Sequence, residues 1–360
     1  MIKKNRSLNF LAFLMPTIGA SVHIIQKFLF ECKSIGSDGL LKKFQKPFFF
    51  TWLGSLSLFM TYIANFKTLT RGQFCNSSFL RKPFLQIALA TFLNLSAGIL
   101  SNVTSLYLNY SVSLMLRSST LVFGAIINVY YLHRPLPKYQ LYSVLLTIFA
   151  IIFVGLAALF SNTKTTHREA SSFVIGIIIV IRILSKSLQA ISMIIEEKVM
   201  SSYSMTPVEM TGLSGVWNIF FSSVVLILVS LFSYENLNDT FVMLLNSKTV
   251  FWLSFLSVVV FGVWTVLSLN ITRKASAVAR MVFDQLTIVF VWFVQLGIHW
   301  CVSGNPSLEQ KYGRTGEAWT RWSWLQLFGF MLMVVGACIY QKIIRLPGID
   351  YYEYENLMGK

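Results

Sequence analysis

One hydrophobic plan occurs twice in this chain, and that duplication constrains its fold more than any other feature. Residues 107–160 form an apolar run carrying Met115-Leu116-Arg117, a basic hinge at His133-Arg134-Pro135, and a second apolar run. Residues 275–345 repeat the plan with Met281-Val282-Phe283-Asp284, a polar connector and a closing apolar run. Further apolar stretches precede each copy, which predicts spans at 8–30, 47–66, 84–104, 107–132, 138–160, 172–194, 207–232, 249–271, 275–300 and 323–345. Each is long enough to cross a hydrocarbon core of about 30 Å at about 1.5 Å per helical residue. The expected fold is an all-α membrane protein with ten transmembrane helices. They divide into a first five-helix repeat over 1–165, a second five-helix repeat over 166–345 and a cytosolic tail over 346–360. Paired halves of this kind can rock about a shared central site, which points to a secondary transporter.

Composition agrees. Charged residues make up 12% of the 360-residue chain and hydrophobic ones 55%, whereas soluble domains carry roughly 25% charge. The formal net charge is +16, but the Lys and Arg sit in short connectors and at span ends, where they orient a membrane protein. They form no basic face interleaved with aromatics, so nucleic acid is not an expected partner. No cleavage site follows the first run, so Leu8–Phe30 reads as a retained span, with Pro16 expected to kink it. Cys32, Cys75, Cys301 and Cys338 lack metal-ligand spacing, and neither metal nor cofactor is expected. Cys32 and Cys301 fall on the same predicted side, which allows one disulfide between them. Lys and Arg are more abundant on the side that holds both termini, which places the N- and C-termini in the cytosol. The long connector 301–322 reads as a flexible loop on the far side. Asn238-Asp239-Thr240 is a glycosylation sequon on that side, and Asn76-Ser77-Ser78 is one in a cytosolic loop.

Charge at bilayer depth costs at least about 2.5–3.5 kcal/mol on insertion scales, so embedded charges mark function. Here they are Lys27, Arg117, Arg182, Lys186 and Arg280, with Asp284 as the sole deep carboxylate. Tyr110, Ser113, Arg117 and Thr120 share one face of span 4 if that span is helical throughout. Ser276, Arg280, Asp284 and Thr287 do so on span 9, and Arg182, Ser185, Lys186 and Gln189 on span 6. Such stripes should face a wet cavity, since lipid satisfies no polar group. The substrate-binding set is therefore Tyr110, Ser113, Arg117, Thr120, Arg182, Lys186, Gln189, Arg280, Asp284 and Thr287. Competing structural roles exist: Arg280 and Asp284 stand one turn apart and can neutralise each other, Lys27 and Arg280 can snorkel, and His23 reads as a packed span residue. The excess of embedded cations favours a small anionic substrate, such as a nucleotide sugar, nucleotide or organic phosphate or acid.

Several strings carry a family likeness: Phe44-Gln45-Lys46-Pro47-Phe48, Ile194-Ile195-Glu196-Glu197-Lys198, Ala279-Arg280-Met281-Val282-Phe283-Asp284, and Leu325-Gln326-Leu327-Phe328-Gly329-Phe330. With Met115-Leu116-Arg117 and the hinge between spans 4 and 5, their order resembles the drug/metabolite transporter superfamily. Within it, the chain is most similar to the nucleotide-sugar-transporter-like solute carrier family 35, F subfamily. The resemblance covers residues 10–345. It implies an alternating-access carrier of two inverted five-helix repeats, with a central cavity and with spans 4 and 9 gating one side. Glu196-Glu197-Lys198 matches the family string, whereas Lys186 replaces an amide and Leu114 a glutamine.

A membrane-embedded enzyme would need paired carboxylates or a His-acid cluster near a loop, and none is present. A non-transporting scaffold or receptor is the alternative, under which the polar stripes have no purpose. The bilayer is the expected partner, and a homodimer is compatible with the sequence. Tyr354-Glu355-Asn356-Leu357 fits a tyrosine-based sorting pattern, and with the family likeness it favours an endomembrane (Golgi, endosome or lysosome) over the plasma membrane.

Overall fold

The computed structural model describes residues 2–66, 77–108, 113, 116–132, 137–160, 172–303, 319, 321–340 and 344–347. Tyr110, the hinge at 133–136, most of the connector 301–322, Asn76, Cys75 and the tail beyond 347 lie outside these residues.

The chain is helical nearly throughout. In order come α1 (Ile2–Glu31), a hairpin of β1 (Lys33–Ile35) and β2 (Leu41–Lys43), α2 (Pro47–Ala64), α3 (Ser77–Thr104) and a 3-10 turn (Leu116–Ser118). Then follow α4 (Ser119–Leu132), α5 (Lys138–Phe160), α6 (Ser172–Ser202), α7 (Pro207–Leu231), a short α8 (Leu237–Asn246), α9 (Lys248–Lys274), α10 (Ala277–Ser303) and α11 (Ser323–Tyr340). Eight of these are long and apolar enough to cross a membrane by length and composition: α1, α2, α3, α6, α7, α9, α10 and α11. The described apolar part of α5 is shorter, and α4 has 14 residues.

Local chemistry sets the boundaries. Pro47 and Pro207 occupy first-turn positions, where a missing N–H costs nothing. Thr206 and Glu209 form a reciprocal capping box on α7, with Thr206 N donating to the Glu209 carboxylate at 2.7 Å. Arg273 and Lys274 close α9 where its carbonyl dipole favours cations.

Several boundaries differ from the expected ones. The helix of span 6 does not stop at 194 but continues to Ser202, carrying Glu196 and Glu197 inside it. Span 4 is not one helix: Arg117 lies in the 3-10 turn and α4 begins only at Ser119. The break before it falls at residues 105–108, because Asn102 and Thr104 still belong to α3. α1 runs through Pro16 without interruption. Cys32 carries a free thiol, so the disulfide with Cys301 does not form. Two unexpected elements, the hairpin and α8, pack against each other.

The helices pair in a regular way. α2 lies along α7, α5 along α11, α3 along α6, and α1 along both α9 and α10; α4 packs on α6, α2 on α9, and α3 on α7. Close crossings use small residues, as expected where lipid supplies no hydrophobic drive. At Gly215 of α7 a Cβ would lie 2.5 Å from the Leu58 carbonyl of α2, and at Gly19 of α1 one would lie 2.8 Å from the Trp264 indole nitrogen of α9. Ser143 of α5 donates to the Gly336 carbonyl of α11 at 2.7 Å. Large apolar side chains such as Phe92, Phe149, Phe220 and Trp252 remain exposed on the outer faces, where hydrocarbon would cover them.

The hairpin is clasped to α8. Its Asp38-Gly39 turn places Gly39 at φ +74°, and Ser34 pairs with Lys42 across the strands. Asp239 of α8 accepts from Lys42 and Lys46, both at 2.9 Å, and from Ser37 N at 2.9 Å. Burial works to raise this carboxyl, but those hydrogen bonds prevail and hold it well below the usual carboxylate range. Next to it, buried Glu235 accepts from Phe48 N and Phe49 N at 3.1 and 3.0 Å, closing the N-terminus of α2, which has no side-chain cap of its own. Burial pushes the Glu235 carboxyl up.

Candidate functional site

A cavity of about 180 Å³ lies between the helices, room for on the order of ten waters. α1, α2, α3, the 3-10 turn, α6, α7, α9 and α10 all contribute to its walls. Most of its lining residues are polar, with Gln26, Asn94, Asn102, Asn218 and many hydroxyls, but the greater part of its surface is apolar, with Phe50, Phe261 and Trp264 among the contributors. A chain joins three helices across it: Gln26 donates to Asn102 and Asn102 to Thr51, each at 2.8 Å.

Ser113, Arg117, Arg182, Lys186, Gln189 and Arg280 line this cavity. Asp284 stands behind Arg117, accepting from it at 2.8 Å. Arg117 also donates to His23 Nε2 and sits 5.4 Å over the Trp264 ring, a cation–π distance. Thr120 and Thr287 are buried but do not line the cavity, and their hydroxyls make no hydrogen bond among the described residues. Tyr110 lies outside the described residues.

The ion pairs differ from the simplest expectation. Arg280 does not neutralise Asp284 one turn away; it reaches across to Glu196 of α6 at 2.9 Å. The neighbouring Glu197 accepts from Ala277 N at 2.8 Å, capping α10. Asp284 is thus not the only deep carboxylate, and Arg117 and Arg280 are both matched. Arg182 donates to the carbonyl of Ser113 at 3.0 Å and to that of Ser101, which fastens α6 to the end of α3. Lys27 donates to Gln295 of α10. Lys186 donates to Gln189 at 3.0 Å, and among the described residues no carboxylate lies within ion-pair distance of its ammonium. A buried charge with only an amide partner can accept an anion from outside.

Glu196, His23, Gln26 and Asn102 are site residues that the reading of the sequence left out. Glu196 carried a signal, since Arg182, Lys186, Gln189 and Glu196 follow i, i+4, i+7, i+14 and share one helix face. Gln26 likewise falls three residues after His23. Trp264 lies in a uniformly apolar run and gave no signal.

Comparison with known proteins places the chain among relatives. No protein-family model matches it. Solute carrier family 35 member F6 of Pongo abelii is 24% identical over 267 residues, 68% of this chain and 66% of that protein. The same-named protein of Rattus norvegicus is 25% identical over 246 residues, 64% of this chain and 59% of its own length. The chain thus spans just under two thirds of those curated relatives or less. An uncharacterised Schizosaccharomyces pombe protein is 22% identical over 273 residues, covering 72% and 75% of the two chains. One solved crystal structure has the same fold, with a TM-score of 0.55 at 11% identity over 94% of this chain and 97% of that one. The chain resembles solute carrier family 35, and the F subfamily agrees.

Proposed function

We propose that this protein is a secondary-active transporter or exchanger of a small anionic organic metabolite, of the nucleotide-sugar or organic phosphate or acid type, working by alternating access. Lys186 carries the reading. It is a buried lysine side chain on the wall of the cavity, and its hydrogen-bond partner is an amide. Arg117 and Arg280 are matched by Asp284 and Glu196, so an anion gains most from Lys186, with the Arg182 guanidinium, bonded to backbone carbonyls, one turn away on the same face.

The division into halves 1–165 and 166–345 as inverted repeats is supported by the helix pairing. Number the spans α1 to α5 as one to five, and α6, α7, α9, α10 and α11 as six to ten. Exchanging each span with its counterpart five places on maps α3–α6 onto α9–α1, α4–α6 onto α10–α1 and α3–α7 onto α9–α2, and sends α2–α7 and α5–α11 onto themselves. Two equivalent halves around a polar cavity suit a rocking mechanism. On this reading both termini are cytosolic, the compartment is endomembrane, and the clasp of hairpin and α8 lies on the far side.

The test is heat protection of the purified protein by a panel of nucleotide sugars, nucleotides and organic phosphates, since a ligand of the folded state alone raises apparent stability by mass action. Lys186→Gln should keep the fold and weaken anion protection roughly ten- to hundredfold, the value of about 1.5–3 kcal/mol for a charge-assisted hydrogen bond. Protection by cations, or anion protection indifferent to Lys186, defeats the proposal.

A further inference from the structure

We infer that His23 is a proton-binding site whose occupancy is coupled to anion binding in the cavity, which makes the transport cycle a proton–anion symport. The inference rests on the anion-transporter reading above and adds the coupling ion and the residue that holds it.

The protonation state of His23 follows from its partner. Arg117 Nη1 hydrogen-bonds His23 Nε2, and a guanidinium only donates and does not lose its proton in proteins. Nε2 must therefore supply the lone pair, and the imidazole is neutral with its proton on Nδ1. A proton arriving at Nε2 forms an N–H bond where that lone pair was. The hydrogen bond from Arg117 is then lost, and two cations face each other. The proton has a route, because His23 is partly exposed and lines the polar cavity. It is taken from water there and returned to water on the opposite side when the cavity reopens.

Arg117 has a place to go. Asp284 Oδ2 already accepts from its Nη2 at 2.8 Å, while Asp284 Oδ1 is buried and makes no hydrogen bond among the described residues. Released from His23, the guanidinium can turn onto both carboxylate oxygens in a bidentate pair. This breaks the Arg117–His23 link between α1 and the 3-10 turn and tightens that turn against α10. The charged groups facing His23 are Arg117 of the 3-10 turn, Arg182 and Lys186 of α6, and Asp284 behind Arg117. An anion held at Lys186 adds the opposite sign to this set, so proton and anion each favour the other's binding, and the coupling is reciprocal.

The two halves differ at this contact. Exchanging spans as above carries the α1–Arg117 contact onto the α6–α10 contact, where Arg280 meets Glu196. An arginine latches the first span of each half, but one latch closes on a carboxylate and the other on an imidazole. Of the two partners only the imidazole can gain a proton and become a cation, which the facing cations Arg117, Arg182 and Lys186 oppose until an anion at Lys186 offsets them. A proton bound there acts on one latch and leaves the other closed, which is what ordered opening of two gates requires.

The full-length protein in nanodiscs, labelled with 15N-histidine, tests this, with His23→Gln as the variant. Glutamine can still accept from Arg117 but cannot become a cation. In wild type at about pH 8 the spectrum should contain a neutral, Nδ1-protonated imidazole that is absent from the variant, and with benzenedisulfonate bound it should convert toward imidazolium as the pH is lowered. Benzenedisulfonate, whose charge is constant from about pH 8 to about pH 5, also serves as the anion probe in salt-matched melting experiments. Its affinity should rise at least about fivefold from the high to the low pH in wild type and stay flat in the variant. An imidazole at His23 that stays neutral throughout, or is already charged at the high pH, overturns the proposal. Titration with equal pH dependence of benzenedisulfonate binding in both proteins overturns the coupling. Normal titration with no benzenedisulfonate protection at either pH counts against the anion-transporter reading and supports the proton site by itself.

Discussion

Asp284 takes its hydrogen bond from Arg117 on another segment and not from Arg280, one turn away on its own helix. The choice has a measurable consequence. Asp284→Asn should destabilise the protein by about 3 kcal/mol or more, because it leaves a buried guanidinium without its carboxylate. Adding Arg117→Gln should recover part of that loss, whereas adding Arg280→Gln should deepen it by stranding Glu196; melting curves of the three proteins decide. Asp239 gives a pH signature. Its folded-state pKa lies below the ordinary value of about 3.9, so its contribution is fully present above that value and is lost as pH falls through the folded value. The melting difference between wild type and Asp239→Asn should stay level from about pH 8 to about pH 5 and shrink below about pH 4. At this scale much of the site was legible, because Arg117, Arg182 and Lys186 are conspicuous in apolar runs. Pairing was not, since nothing local tells Arg280 to ignore Asp284 and reach across 84 residues to Glu196.

Among the elements, α2 and α7 approach so closely that Gly215 has no room to grow. A Cβ there would meet the Leu58 carbon and oxygen and the Phe59 nitrogen, all backbone atoms that cannot swing aside. Gly215→Ala should therefore lower stability by about 1–3 kcal/mol. Gly176→Ala, at a position with nothing within 4 Å, should be neutral or stabilising by up to about 1 kcal/mol; thermal melts of both variants check the contrast. Pro47 and Pro207 made the starts of α2 and α7 readable. The end of α6 was misread because Glu-Glu-Lys looks like a solvated terminus, while its partners on α10 lie far along the chain. The break in span 4 escaped notice because apolar spacing continues across the 3-10 turn. Asp38-Gly39, a strong hairpin signal, was passed over in a loop too short to suggest strands.

For the whole molecule, the apolar runs conveyed an all-helical membrane architecture, with eight described helices long and apolar enough to cross, because hydrocarbon thickness fixes how long each must be. The clasp of hairpin and α8 was hidden, since its contacts join positions about 200 residues apart, such as Ser37 and Asp239. It also provides a test of orientation. Asn238 is exposed in the first turn of α8, beside the buried Thr240, and on the proposed topology it faces the far side. In a glycosylating host, sugar should appear on Asn238 and not on Asn76, as read by mobility shift after removal of each sequon. Sugar on Asn76 would mean the chain sits the other way round. The Glu235 carboxylate that closes α2 also bears on biogenesis. It lies 187 residues after Phe48, and a ribosome adding about 5–20 residues per second needs on the order of ten to forty seconds to deliver it. Through that interval α2 is in place with the amides of its first turn unanswered, so the earlier half of the chain waits, unfinished, for the later half to be made.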